Sequence, residues 1–499
     1  MNHKAFDILK TFSKEDIKSF TSFLNSPFFK IRENVFKLYN LLRVFHPHYN
    51  SKSLTDECLY FRIYPEKPFN GSTMRNLFSE LTAAIELYLS QLNFSRRKFS
   101  VNDFLCDELF KRNLGSMVEN NLKKSEEIIK SRKEFSAEYL LDSFRLTTDK
   151  LNFLTLDKPR SNSIYIDRLK ELHCERSRYI TYIYVREMIK GYDNILTLEK
   201  TFNVDMENNF ILDIFSKINF PTLVNFLADN SEEKIFKHFF EVYHAMLNAF
   251  VNVENDKYYF EYRKSFNRNT KYLDVDERRF HTGRLIRYCM KKSMEKNSAK
   301  KFNEELLDLY DEIIQKEYYL SDLSTHLPIE LFRSALNHSL KMKKFKWAIS
   351  FINRSKKKLH PDNRDNMYHY SCVKYYFHTG KYEKANKHFQ NIQLTHFMLK
   401  IDLRNIMLKT YYEQQNYESA ISLIDTYKHF LTNDITLSSL EKKRNKQFVT
   451  TVQKMIEYRN SSNPLAMINV EKYIEEELPE KEWVIDKMME LEKKYYKSA

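Results

Sequence analysis

Fifteen histidines and five cysteines are spread through the 499 residues, and a few stand close enough together to do chemistry. His46-Pro47-His48 is the tightest histidine pair, as in a two-imidazole metal ligand, but no cysteine or carboxylate is spaced to complete a tetrahedral set. His173-Cys174, and Cys372 with His378, pair a thiol with an imidazole, as a nucleophile and its general base would be paired. Each lies in a predicted helix with no third group to fix the base, and a thiol on a helix is ordinarily a packing residue. Glu126-Glu127 and Glu475-Glu476-Glu477 fall in charge-rich amphipathic helices, where carboxylates are solvated. Gly71, Gly115, Gly191, Gly283 and Gly380 all stand alone, so no glycine-rich loop can cradle a phosphate and the usual nucleotide-binding motifs are excluded. The residues predict no catalytic, cofactor or metal site, and a protein that is not an enzyme.

The elements that would position any functional residue are helices. Five glycines and ten prolines among abundant Leu, Lys, Glu, Phe and Tyr favour long helices joined by short turns, and no sustained alternation of period two suggests a sheet. Between Pro328 and Leu431 one phrase recurs three times: Lys343-Lys344-Phe345-Lys346-Trp347-Ala348, Gly380-Lys381-Tyr382-Glu383-Lys384-Ala385 and Gln415-Asn416-Tyr417-Glu418-Ser419-Ala420. Its alanines are 37 and 35 residues apart, the period of a helix-turn-helix repeat. The aromatic closes the turn between two antiparallel helices, and the alanine sits where the second helix packs too closely for anything larger.

These units resemble tetratricopeptide repeats over residues 328–431, with Leu336, Val373 and Leu408 replacing the small first-helix residue of the family. The resemblance implies an all-α fold, a right-handed α-solenoid of antiparallel hairpins whose first helices line a concave groove. Carried over residue by residue, that groove takes Arg333, Asn337 and Lys341 from the first unit. The second contributes Tyr370, Lys374, Phe377 and His378, and the third Asn405, Lys409 and Tyr412. Cations, amides and rings on one face suit an extended acidic peptide. Arg333 and Asn337 match half of the clamp with which some family members hold a terminal carboxylate, but Asp402 and Ile406 stand where that clamp has basic residues. A degenerate unit is predicted upstream, with helices at 278–295 and 299–315 and the turn Lys300-Lys301-Phe302-Asn303-Glu304-Glu305.

The formal charge of +14 is unevenly placed. Residues 277–302 carry +7 and residues 341–358 carry +8, which leaves −1 for the rest. Arg284, Arg287, Lys291, Lys343, Lys344, Lys356 and Lys357 would form a basic patch if these runs share a surface, and such a patch attracts an acidic protein or nucleic acid. The plainer alternative is a set of solvated helix faces.

Ser13 with Asp16 reads as an N-cap arrangement, Ser72 as the cap of a long helix, and Phe236, Phe239, Phe240, Tyr243 and Phe250 as the core stripe of another helix. The expected domains are an N-terminal helical module (1–100), irregular helical hairpins (101–276), tetratricopeptide-like repeats (277–435) and C-terminal capping helices (436–499). The N-terminal module is similar to the opening of a group of uncharacterised helical bacterial proteins, a likeness that implies no activity. Widely spaced cysteines and the lack of a long apolar run predict a cytoplasmic chain with no membrane insertion. The expected function is a scaffold or adaptor that binds an acidic or extended peptide. The alternatives are a nucleic-acid-binding protein that uses segments 277–302 and 341–358, and a peptide-responsive regulator.

Overall fold

The computed structural model describes residues 3–51, 54–156, 163–201, 204–231, 233–295, 297–321, 324–393, 397–461 and 478–498. They are all-α: no β-strand occurs among them, only isolated bridges between Phe135 and Leu273 and between Ser321 and Ser324. Contacts divide the chain into two compact units, Met1–Arg132 with Asp142–Arg176, and Lys133–Leu141 with Ser177–Ala499.

The first unit begins with α1 (Lys4–Leu9), α2 (Lys14–Leu24), α3 (Glu33–Arg43), α4 (Asp56–Ile63) and α5 (Gly71–Arg96). Ser13 and Asp16 form a reciprocal capping box that starts α2, as their spacing predicts. The cap of α5 is Asn70 rather than Ser72: its side chain accepts from the Thr73 amide at 3.0 Å, and Ser72 already lies inside the helix. Phe20, Leu38, Tyr39, Leu42, Leu77, Leu81 and Ile85 share one buried core. The next elements are α6 (Lys98–Lys111), α7 (Gly115–Lys130), α8 (Ala137–Leu156) and α9 (Ser163–Thr201), of which α8 and α9 supply residues to both units.

The second unit continues with α10 (Phe210–Lys217), α11 (Phe220–Asp229), α12 (Lys234–Val251), α13 (Asp256–Asn269), α14 (Val275–Lys292) and α15 (Ala299–Gln315). The sequence predicts a helix ending at Lys190, yet α9 runs straight through Gly191. Glycine costs a helix interior about 1 kcal/mol, but a Cβ at Gly191 would stand 3.1 Å from Ile211 Cδ1, so the missing side chain lets α10 pack closely there. Phe236, Phe239, Phe240 and Tyr243 are buried, with Phe135 stacked on Phe239 at 3.6 Å. The upstream helices expected at 278–295 and 299–315 are α14 and α15, which pack together; the phrase at 300–305 lies inside α15, where Phe302 is buried. Glu305, at the expected alanine position, accepts from Tyr259 at 2.9 Å.

The hairpins follow as α16 (Ile329–Lys341) with α17 (Phe345–Ser355), α18 (Pro361–His378) with α19 (Tyr382–Phe389), and α20 (Phe397–Glu413) with α21 (Tyr417–Asn433). Within each pair the helices pack together, α16 packs on α18, and α18 on α20. The recurring phrase makes the same turn three times. Lys343, Gly380 and Gln415 take the left-handed conformation, with φ of 56°, 69° and 58°. The following amide then reaches back across the helix end, from Lys344 to Ser339, Lys381 to Tyr376 and Asn416 to Tyr411, at 2.8–2.9 Å. Phe345, Tyr382 and Tyr417 are the first residues of the second helices, and Ala348, Ala385 and Ala420 are fully buried. The chain closes with α22 (Ser439–Ser461) and α23 (Lys481–Ser498). The helix expected at 465–477 lies outside the described residues.

Candidate functional site

The residues assigned to the groove fall into two adjoining clusters and two outliers. In the first cluster Arg333 of α16 grips the Asp402 carboxylate of α20 with two N–H donors, one of them at 2.8 Å. Tyr370 of α18 donates to the same carboxylate at 2.6 Å and lies 3.3 Å from the Asn337 side-chain oxygen. Burial alone would raise the Asp402 carboxyl, but the Arg333 and Lys374 charges outweigh it and hold the group far below the usual carboxylate range. The cation of the half-clamp is thus engaged by the residue that breaks the family pattern, and three first helices are tied to one another.

The second cluster gathers Lys374, Phe377, His378, Lys409 and Tyr412 around the start of α23. Lys409 is 1% exposed; its ammonium bonds Glu480 at 2.6 Å and lies 4.5 Å from the centre of the Phe377 ring. Tyr412 meets Trp483 edge-on at 5.4 Å, and the indole N–H donates to Glu413 at 2.7 Å. Burial would raise Glu480, yet Lys409 and Lys374 bring it down to about 2. Burial, and then the Lys409 and Lys374 charges, push His378 down to about 3, so its ring is neutral at pH 7. Lys341 stands at the edge of the cluster, exposed and paired with Glu482 at 3.0 Å. Asn405 points elsewhere: it is held by Asn445 at 3.1 Å and by the Tyr427 hydroxyl at 2.9 Å. Sequence reasoning missed Glu480, Glu482 and Trp483, because a charged tail about 50 residues beyond the repeats carries no spacing that ties it to them.

The basic runs are largely neutralised from within. Arg284 is buried against Asp193 between the Phe250 and Phe280 rings, so it is not part of a surface patch, and Arg287 shares the same carboxylate. Arg278 pairs with Glu134, Arg279 with Asp276, and Lys292 and Lys301 with Asp256. In the second run Arg354 pairs with Asp311, Lys356 with Asp365 and Lys358 with Glu317. Lys291, Lys343, Lys344 and Lys357 remain exposed. Cations consecutive in sequence recruit carboxylates from other helices, which a one-dimensional charge count does not register.

The other candidate chemistry disperses. His46 bonds the Phe12 carbonyl at 2.8 Å, and His173 and Cys174 are both exposed on α9. Burial pushes the Cys372 thiol up, while His378 faces Lys409 and Glu480. Glu126 is engaged by Lys130 at 2.6 Å and Lys150 at 2.7 Å, and Glu475-Glu476-Glu477 lies outside the described residues. Among the described residues no three metal-ligating side chains converge. A shallow cleft of about 290 Å³ in the first unit holds Asp103, Asp107, Arg145 and Asp149, where burial and the neighbouring carboxylates raise Asp149 to about 7. A buried centre ties α9, α12 and α14 together: Glu277 accepts from Arg186 at 2.7 Å, Lys190 at 2.6 Å and Tyr243 at 2.8 Å. No single described helix is long and apolar enough to cross a membrane.

Compared with family models, with curated proteins and with solved structures, the chain matches none of them.

Proposed function

We propose that this chain is a non-catalytic protein-interaction scaffold, whose tetratricopeptide-like hairpins form a right-handed solenoid and offer the face of α16, α18 and α20 to an acidic segment of a partner protein. The observation that carries this reading is the composition of the face. Three successive first helices each contribute a lysine, Lys341, Lys374 and Lys409; Lys409 lies over Phe377, Tyr412 packs against Trp483, and Glu482 and Glu480 pair with Lys341 and Lys409. Charge-assisted bonds beside aromatic surface are the chemistry by which an acidic segment is held. The three identical left-handed turns support the repeat reading, because they set each first helix beside the next.

Affinity capture from cell extract, with and without nuclease, tests the proposal. Protein partners that persist after nuclease are expected. Capture that disappears with the nucleic acid would favour the rival, in which exposed Lys343, Lys344 and Lys357 bind phosphates, and its affinity would then fall steeply with salt.

A further inference from the structure

Glu480 and the first turn of α23 that follows it reach the first helices of the outer hairpins and the side chains of the middle one. Glu482 pairs with Lys341 of α16 at 3.0 Å, Glu480 with Lys409 of α20 at 2.6 Å, and Trp483 packs against Tyr412. Between them, Phe377 of α18 lies under the Lys409 ammonium, and His378 lies within the fields of Lys409, Lys374 and Glu480. A helix that only closed the end of a repeat array would bury apolar side chains on the last elements. Val484, Met488 and Leu491 do this, joining the core that holds Ile424, Tyr427, Val452 and Met455. The two carboxylates and the indole do something different, because one of them extends back to the first hairpin.

The contact is also incomplete. Lys374 is 5% exposed; its ammonium lies 6.0 Å from the centre of the Tyr370 ring, and among the described residues no carboxylate lies within ion-pair distance of it. The Asp402 and Glu480 carboxylates act on it only at longer range, as its Coulombic influence on both shows.

We infer that residues 478–491 are an intramolecular ligand of this face, and that the partner is a protein segment carrying two carboxylates and an aromatic residue within four residues at the start of a helix, plus a further carboxylate that reaches Lys374. The inference rests on the reading of the face as a partner site, and adds that the resting chain is closed. The partner displaces α23, taking over Lys409 and Lys341 and supplying Lys374 with the counter-charge that the self-contact lacks. A ligand that binds only the open form has its apparent affinity reduced by the open fraction. If the closed form is in excess by about ten to one, opening the chain strengthens binding about tenfold.

The experiment uses the full chain and two fluorescent synthetic peptides: residues 478–491, and a glutamate-rich peptide without tryptophan. Two opened variants are compared with the wild type. Glu480→Lys with Trp483→Ala removes two of the three anchors, and Glu480→Gln with Glu482→Gln removes only charge and keeps the apolar packing should the first variant lose helicity. Both are expected to bind the 478–491 peptide at least ten times more tightly than the wild type, with faster amide hydrogen exchange in α23. Lys374→Gln added to an opened variant is expected to weaken that binding severalfold. Equal binding by wild type and opened variants would overturn self-occupancy while leaving the face as a peptide site. Failure of every helical variant to bind either peptide would overturn both the inference and the reading beneath it.

Discussion

Removing the Asp402 carboxylate should open the hairpin array at its centre. Asp402→Ala leaves the Arg333 guanidinium without its counter-ion and deprives the Tyr370 hydroxyl of its acceptor, at a site where the Arg333 side chain is 20% exposed. Breaking a buried pair by removing one partner costs about 3–5 kcal/mol, because the remaining charge is stranded out of water. Replacing both charges, as Arg333→Met with Asp402→Leu, should be close to neutral by the same reasoning, since the desolvation of both ions is relieved together. Amide hydrogen exchange along α16, α18 and α20 reports the local opening free energy. Asp402→Ala should accelerate exchange there by roughly a hundredfold to several thousandfold, at about 1.4 kcal/mol per factor of ten, and the double variant should restore most of the protection. A single variant that changes exchange less than about fivefold, or a double variant as labile as the single, would refute the claim that this ion pair holds the three helices together.

Acid should loosen the same region through His378. Its folded pKa of about 3 lies below the ordinary histidine value, so its stabilisation is full above about pH 6.5 and is lost as pH falls from there toward 3. The slope is at most ~1.4 kcal/mol per pH unit, it is read by exchange in α18 and α20 between pH 7 and pH 5, and His378→Phe should abolish it. Asp149 has the opposite sign. Its pKa of about 7 is raised above the unfolded value, so its favourable contribution, present at acid pH, is lost as pH rises through 7. Asp149→Asn should stabilise the first unit by ~1–2 kcal/mol at pH 8 after allowance for solvent screening, and by little at pH 4. At the turns, Lys343→Gly and Gln415→Gly should each stabilise by ~0.5–1 kcal/mol, because glycine takes positive φ without strain, whereas Gly380→Ala should destabilise. Ala385→Phe should cost ~1–3 kcal/mol by overpacking, and Ala83→Phe, on the exposed face of α5, almost nothing. Thermal melts read both sets.

The hairpins were legible because their turn is a local event. A residue able to take positive φ, an aromatic two residues later and an alanine three beyond that describe one helix end and one close contact, and all lie within six residues. The sequence therefore located the turns at Lys343, Gly380 and Gln415 and the buried alanines. The helices at 278–295 and 299–315 were legible too, but not the turn between them, since Phe302 imitates the turn aromatic while packing from inside a helix. The residues assigned to the groove could be named as positions on three first helices, but their surroundings could not be read from the sequence. Lys409 is engaged by Glu480 and Arg333 by Asp402, partners 71 and 69 residues away. Whether a cation is offered to solvent or satisfied within the chain depends on such long-range pairings, and no periodicity encodes them.

On the reading proposed here, the face of α16, α18 and α20 binds an acidic protein partner. Nuclease-treated capture by the full chain, compared with capture by a Lys341→Glu, Lys374→Gln variant of unchanged helicity, tests it most directly. The account predicts partners that survive nuclease with the wild type and are lost with the variant. Undiminished capture by the variant would contradict it.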